Sequence, residues 1–130
     1  MKIICIFLCC LALWACQEEK PVVQEFRRYK GDIEVLNSCD INGAANKMTT
    51  YLRQHGFDVV SKSNDVLQNY KETILVLRNP EWEGAQALAK ALKTKNVMVV
   101  ASKRATAIDA SIYLGKDFNK IIEGEQGEQK

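Results

Sequence analysis

The chain predicts an α/β (α+β) domain. Two helices cover one mixed sheet in a two-layer sandwich of βαββαβ order, with one extra C-terminal strand. Three observations predict it. Apolar residues recur at helical spacing in two separate stretches, 41–52 and 82–92, so each stretch has one face to bury. Short apolar runs of strand character flank both stretches. No helical pattern separates the second such run from the third, so those two read as a hairpin, and a purely parallel doubly wound sheet is disfavoured. The plan that fits is the split βαβ, ferredoxin-like one.

Residues 32–37 open the pattern: Ile33 and Val35 alternate with polar neighbours until Leu36 interrupts them. Ile41, Ala45, Met48 and Leu52 then fall on one helical stripe. Asp40 and Asn42 are candidate caps at its start, Gly56 is a left-handed stop at its end, and His55 lies in the last turn, where positive charge suits the helix dipole. Residues 57–61 read as the second strand, and Ser63, Asn64, Asp65, Gln68 and Asn69 mark a polar loop. Residues 73–78, TILVLR, are the most apolar strand candidate and are expected at the centre of the sheet. Asn79 as cap and Pro80 as first helical residue predict the start of the second helix. Trp82, Ala85, Leu88, Ala89 and Leu92 form its stripe, Lys90, Lys93 and Lys95 enrich its end, and Asn96 is expected to stop it. Residues 97–100, VMVV, give a fourth strand. Residues 110–115 give a fifth, with Ala110, Ile112 and Leu114 on one face. Residues 120–130 become charged and Gly-containing after Ile122 and predict a frayed tail.

The first sixteen residues, MKIICIFLCCLALWAC, are of another kind. Lys2 precedes thirteen apolar residues, Ile3 to Ala15. A membrane-spanning helix needs roughly 20 such residues, so the run reads as an export signal. Its end resembles the lipobox of bacterial lipoproteins: Leu13, Ala15 and Cys16 fit, while Trp14 is larger than usual. The resemblance implies removal of residues 1–15 and acylation of Cys16 (palmitate among the chains), making the membrane a partner through that residue. Gln17 is not the Asp that commonly retains lipoproteins at the inner membrane, which favours the outer membrane, facing the periplasm, in a two-membrane bacterium. Residues 16–31 are then a tether, 32–119 the domain, and 120–130 the tail. The remaining chain of about 115 residues suffices for one small core.

Lys and Arg number 18 against 16 Asp and Glu. This balance argues against a nucleic-acid partner that would need many phosphates neutralised. Arg27, Arg28 and Lys30 form a short basic stretch, read as solvated linker near enough to the acylated end to rest on anionic headgroups. Of five cysteines, Cys5, Cys9 and Cys10 lie in the leader and Cys16 is the acylation site, which leaves Cys39. No intramolecular disulfide is available to the domain, and one Cys with one His supplies no metal-ligand set. No cofactor is expected.

Three stretches resemble a known family, the C-terminal domain of LytR/CpsA/Psr-type cell-envelope proteins. Residues 33–37 (IEVLN) with Gly43, Ala44 and Ala45 are similar to its opening motif, 51–60 (YLRQHGFDVV) to its middle segment, and 109–117 (DASIYLGKD) to its close. Ser38 and Asp40 stand where the family commonly has Gly, which argues against a ligand cradle of backbone amides there. Gly43 remains, and is expected to let the helix start pack closely on the sheet. Full-length members attach glycan polymers to the cell wall through a separate phosphotransferase domain, for which this chain has no room. The resemblance implies envelope work and supplies no catalytic residues.

The chemistry-bearing residues are sparse. Cys39 and His55 stand sixteen residues apart at opposite ends of one predicted helix, roughly 24 Å at its rise, which rules out a nucleophile–base pair. Asp32, Glu34, Asp58 and Asp109 lie near strand ends without the spacing of an acid/base pair. Gly115 and Lys116 lack the flanking residues of a phosphate loop. Asn37, Ser38 and Gly43 in the opening turn, with Trp82, are candidates for a ligand surface. Trp82, Tyr51, Tyr70 and Tyr113 can stack on sugar rings, although a helix-to-sheet anchor is the commoner role of Trp82. The expected function is a non-catalytic binding or assembly module for a cell-wall glycan or an envelope protein, presenting an exposed aromatic or basic groove on the sheet or beside the first helix. The alternative is a small envelope hydrolase or transferase. The ferredoxin-like plan also resembles the peptidoglycan-binding SPOR architecture, as an analogy of fold alone.

Overall fold

The computed structural model describes residues 27–65, 69–101 and 108–124. The expected leader, Cys16, the tether as far as residue 26 and the tail from 125 lie outside the described residues. The elements are β1 (Tyr29–Asn37), α1 (Ala44–Gln54), β2 (Phe57–Asn64), β3 (Ile74–Leu77), α2 (Ala85–Leu92), β4 (Val97–Val99), β5 (Ala110–Leu114) and α3 (Phe118–Glu123). The strands form one mixed sheet in the order β2-β1-β5-β3-β4. The mixed α/β class and the five strands are as expected.

The wiring is not ferredoxin-like. β1 pairs with β2 in parallel and β3 with β4 in parallel, so each helix joins neighbouring strands in an unsplit βαβ unit. There is no hairpin between β2 and β3. The sheet is mixed because β5 lies between the units, parallel to β1 and antiparallel to β3. The physical reason is burial on both faces: Ala110, Ser111, Ile112 and Leu114 are all buried, which suits the middle of a sheet rather than an appended edge. The centre expected of 73–78 therefore belongs to β5, and the SPOR analogy falls with the plan that suggested it.

The two βαβ units run in opposite directions. A right-handed crossover in each then puts both helices on the same face. Ile33, Val35, Leu75, Ile112 and Leu114 from that face join Met48 and Leu52 of α1, Leu88 and Leu92 of α2 and Phe118 of α3 in one core. Among the described residues the other face of the sheet carries no helix.

Several boundaries shift. β1 begins at Tyr29, inside the expected tether, and β2 pairs with β1 as far as Asn64, so Ser63 and Asn64 are strand. α1 begins at Ala44, which leaves Ile41 exposed and moves the buried stripe to Ala44, Met48, Tyr51 and Leu52. Neither Asp40 nor Asn42 caps it; the N-cap is Gly43 at φ 80°. Gly56 takes the expected left-handed turn at φ 86°. α2 begins only at Ala85, because the Asn79 amide donates to the Asp109 carbonyl and Asn79–Trp82 closes a turn instead. It ends at Lys93 with φ 50°, before Asn96. The start of the expected frayed tail is the helix α3, held by buried Phe118 and Ile121.

Candidate binding surface

The opening turn is closed on itself. Asn37 accepts from the Cys39 amide (3.3 Å) and thiol (3.2 Å), and its side-chain amide donates to the Ile41 carbonyl at 2.9 Å. Cys39 is buried by this turn, as a packed residue would be. Ser38 is also buried, and its hydroxyl donates to Asp65 at 3.0 Å. Gly43 does not pack against the sheet: a Cβ there would meet nothing within 4 Å. What it supplies is a positive φ that turns the chain into α1.

Trp82 is at the other end of the sheet. It is 8% exposed, its indole N–H donates to the Lys30 carbonyl, and its ring meets Phe57 edge-on at 6.3 Å. A Cβ on Gly31 or Gly84 would strike the indole. The residue is therefore an anchor of the α2 lead-in on β1 and offers no stacking face to a sugar. The four candidate residues do not converge.

The surface that does converge is the helix-free sheet face. Paired positions place Leu36, Tyr113 and Ile74 in one row across β1, β5 and β3, and Glu34, Ser111, Val76 and Met98 in the next, which continues onto β4. Ser111 donates to Glu34 and accepts from the Arg78 Nε at 3.1 Å, so a carboxylate on β1, a hydroxyl on β5 and the guanidinium of the residue after β3 form one chain. Beside this chain is a groove of about 520 Å³ lined by Asp65, Tyr70, Ile74, Val76, Arg78, Met98, Val100 and Tyr113. The rings of Tyr70 and Tyr113 meet edge-on at 6.5 Å. The opening turn supports it from behind: Ser38 holds Asp65 through its hydroxyl and Tyr70 through its carbonyl, which accepts the Tyr70 amide at 2.8 Å. Sequence reasoning named Tyr70 and Tyr113 as candidate stacking residues and expected an aromatic or basic groove on the sheet or beside the first helix. What it did not supply is their meeting with Arg78, Met98 and Val100, which come from separate segments.

A second concavity, about 560 Å³, lies where the chain enters the domain, lined by Arg28, Lys30, Asp32, Arg53 and Asp58 among others. Asp32 and Asp58 are cross-strand partners, so this is where two carboxylates come together. Asp58 is exposed at the sheet edge, where water screens it. The His55 ring is tilted by 38° against Tyr51 with centroids 4.2 Å apart, and its Nδ1 is 2.7 Å from the Tyr51 carbonyl oxygen. Among the described residues no group of three or more His, Cys, Asp or Glu is placed to hold a metal. No helix there is long and apolar enough to cross a membrane.

The motif stretches are structural. Asp117 accepts from the Thr73 amide (2.9 Å) and hydroxyl (2.6 Å), and that hydroxyl accepts from the Gly115 amide at 3.1 Å. A Cβ on Gly115 would fall on the Glu72 backbone, and one on Gly56 on the Arg27 carbonyl. Asp109 accepts from the Asp32 amide and the Asn79 side chain, each at 2.9 Å. A family model described as LytR cell envelope-related transcriptional attenuator matches residues 32–118, the stretch that contains the Asp117 and Asp109 contacts. No curated protein and no solved structure gives a significant match to the chain.

Proposed function

The chain belongs to the LytR_C family, a cell-envelope-associated domain, and from that premise we propose that it is a non-catalytic binding module whose ligand is a cell-wall glycan. The observation that carries the reading is the helix-free sheet face with its groove. Two tyrosines, a guanidinium and a carboxylate stand over an apolar floor of Ile74 and Val76. Aromatic faces suit the apolar faces of sugar rings, and the charged groups suit their hydroxyl and acidic substituents. The full reading adds an acylated Cys16 that holds the domain at the outer membrane, facing the periplasm.

An envelope hydrolase or transferase would need two carboxylates facing one sheltered cleft, and the pair that the second concavity brings together is Asp32 and Asp58. Acid–base work of that kind profits from a water-excluded site, and the exposed edge at Asp58 offers none.

The test is co-sedimentation of the full chain with cell-wall sacculi. Wild type should be retained, and Arg78→Ala should weaken retention about tenfold, the value of one charge-assisted hydrogen bond of roughly 1.5 kcal/mol. Tyr113→Ala should weaken it severalfold. Retention unchanged in both variants would remove the groove as the site, and capture of an envelope protein in place of the glycan would change the ligand class. Mass spectrometry of the exported chain should find acyl chains on Cys16 as the N-terminal residue; an unmodified Cys16 would end the anchoring part.

A further inference from the structure

The two edges of the sheet differ. The β2 edge is guarded: Asp58, Ser61, Lys62, Ser63 and Asn64 are exposed, and a register shift against β1 falls between Ile33 and Glu34. Charge and irregularity of this kind protect an edge from pairing. The β4 edge has neither. Val97, Met98, Val99 and Val100 are 38, 54, 59 and 46% exposed, and Ala101 after them is exposed too. Among the described residues the other exposed large apolar side chains are Ile41 and Val60, so the run at β4 is where such surface concentrates.

We propose that β4 pairs antiparallel with β4 of a second copy, joining two five-stranded sheets into one of ten strands. The backbone orientation permits it. The Asn96 carbonyl accepts from Leu75 and the Val100 amide donates to Leu77, so residues 96, 98 and 100 turn their backbone groups toward β3, and by alternation Val99 turns both of its groups outward. At Val97 the amide donates to the Lys95 carbonyl at 3.1 Å, and its carbonyl is the group left to the edge. A two-fold axis at Val99 makes Val99 and its copy a hydrogen-bonded pair, sets Met98 opposite Val100, and sets Val97 opposite Ala101. Every cross-strand pair is apolar, so the segment is complementary to itself.

Charge selects the same partner. α2 runs opposite to β4, with exposed Glu81 and Glu83 just before its start and exposed Lys90, Lys93 and Lys95 at and beyond its end. An antiparallel β4 pair lays two α2 helices side by side in opposite directions, so the acidic end of each meets the basic end of the other. Met98 and Val100 also line the sheet-face groove, which brings the two grooves together at the seam. The pairing rests on the edge alone and stands whether or not the groove takes a glycan.

The experiment is disulfide trapping in the full chain, in cells that export it. Hydrogen-bonded antiparallel partners have Cα atoms about 5.5 Å apart, within disulfide range. Val99→Cys should therefore migrate largely as a dimer on a non-reducing gel and return to monomer on reduction. Val60→Cys, on the guarded edge, should stay monomeric. Val97→Cys and Ala101→Cys, expressed together as separate copies, should link to each other more than either links to itself. A monomeric Val99→Cys, equal trapping by Val60→Cys, or a Val99→Cys adduct with a protein of different mass would overturn the proposal, the last by giving the edge to a foreign strand. Should Val99→Cys fail to accumulate, the Val97→Cys and Ala101→Cys pair decides alone.

Discussion

Asp117, Thr73 and Gly115 show how a single carboxylate closes this domain. Asp117 lies just before α3, and its oxygen satisfies both the amide and the hydroxyl of Thr73, at the start of β3. The Thr73 hydroxyl passes the network on to Gly115, after β5, and the Thr73 carbonyl accepts from Thr94 at 2.7 Å. Thr73 is buried, so removing its acceptor leaves polar groups without water. Asp117→Ala should cost about 2–3 kcal/mol and Asp117→Asn, which keeps an acceptor oxygen, markedly less. Urea unfolding followed by Trp82 fluorescence reads the difference. The glycines separate in the same assay. Gly115→Ala must displace the Glu72 backbone and should cost about 3 kcal/mol or prevent folding. Gly43→Ala meets open space and should cost only its positive φ, about 1–2 kcal/mol.

At the scale of elements, all five strands and both longer helices were legible in the sequence, while the helix starts were not. Asn79-Pro80 has the form of a cap and first turn. The structure instead spends Asn79 on Asp109, through the backbone at 3.0 Å and the side chain at 2.9 Å, and holds the next residues in a turn that seats Trp82 on β1. A contact across thirty residues outweighed a local preference worth about 1 kcal/mol. Asn79→Ala should therefore leave amide exchange in α2 unchanged and speed it at Arg78 and Asp109, where the strands join. Faster exchange confined to Ala85–Leu88 would mean that Asn79 caps the helix after all. The same logic explains α1: its capping residues were read from type, but Gly43 provides the turn by conformation, which composition does not display.

At the scale of the molecule, what the sequence hid was which strand holds the centre. Ile74–Leu77 is the more continuous apolar run, whereas Ala110–Leu114 contains Ser111 and Tyr113 and reads as half-exposed. Ser111 is buried all the same, because Glu34 on β1 and Arg78 just after β3 satisfy its hydroxyl from either side, and a hydrogen-bonded polar residue can occupy a central strand. The place of the groove was hidden for the same reason: Tyr70 and Tyr113 could be named as stacking candidates, but the groove's residues meet only once β5 has been placed between β1 and β3. This position makes β5 the strand that joins the two βαβ units within the sheet; across the helix layer they also meet through Trp82 on the Lys30 carbonyl and the Tyr51 hydroxyl on the Ala91 carbonyl. Ile112 is fully buried between Val35 of one unit and Leu75 of the other. Ile112→Ala should remove about 3–4 kcal/mol. Because both units lean on the same strand, they should be lost together. Far-UV circular dichroism, which sees all helices, and Trp82 fluorescence, which sees the α2 lead-in on β1, should shift to lower urea by the same amount and stay superimposed. Two separated transitions in this variant would show that each βαβ unit holds its own fold, with β5 a strand laid between them after the fact.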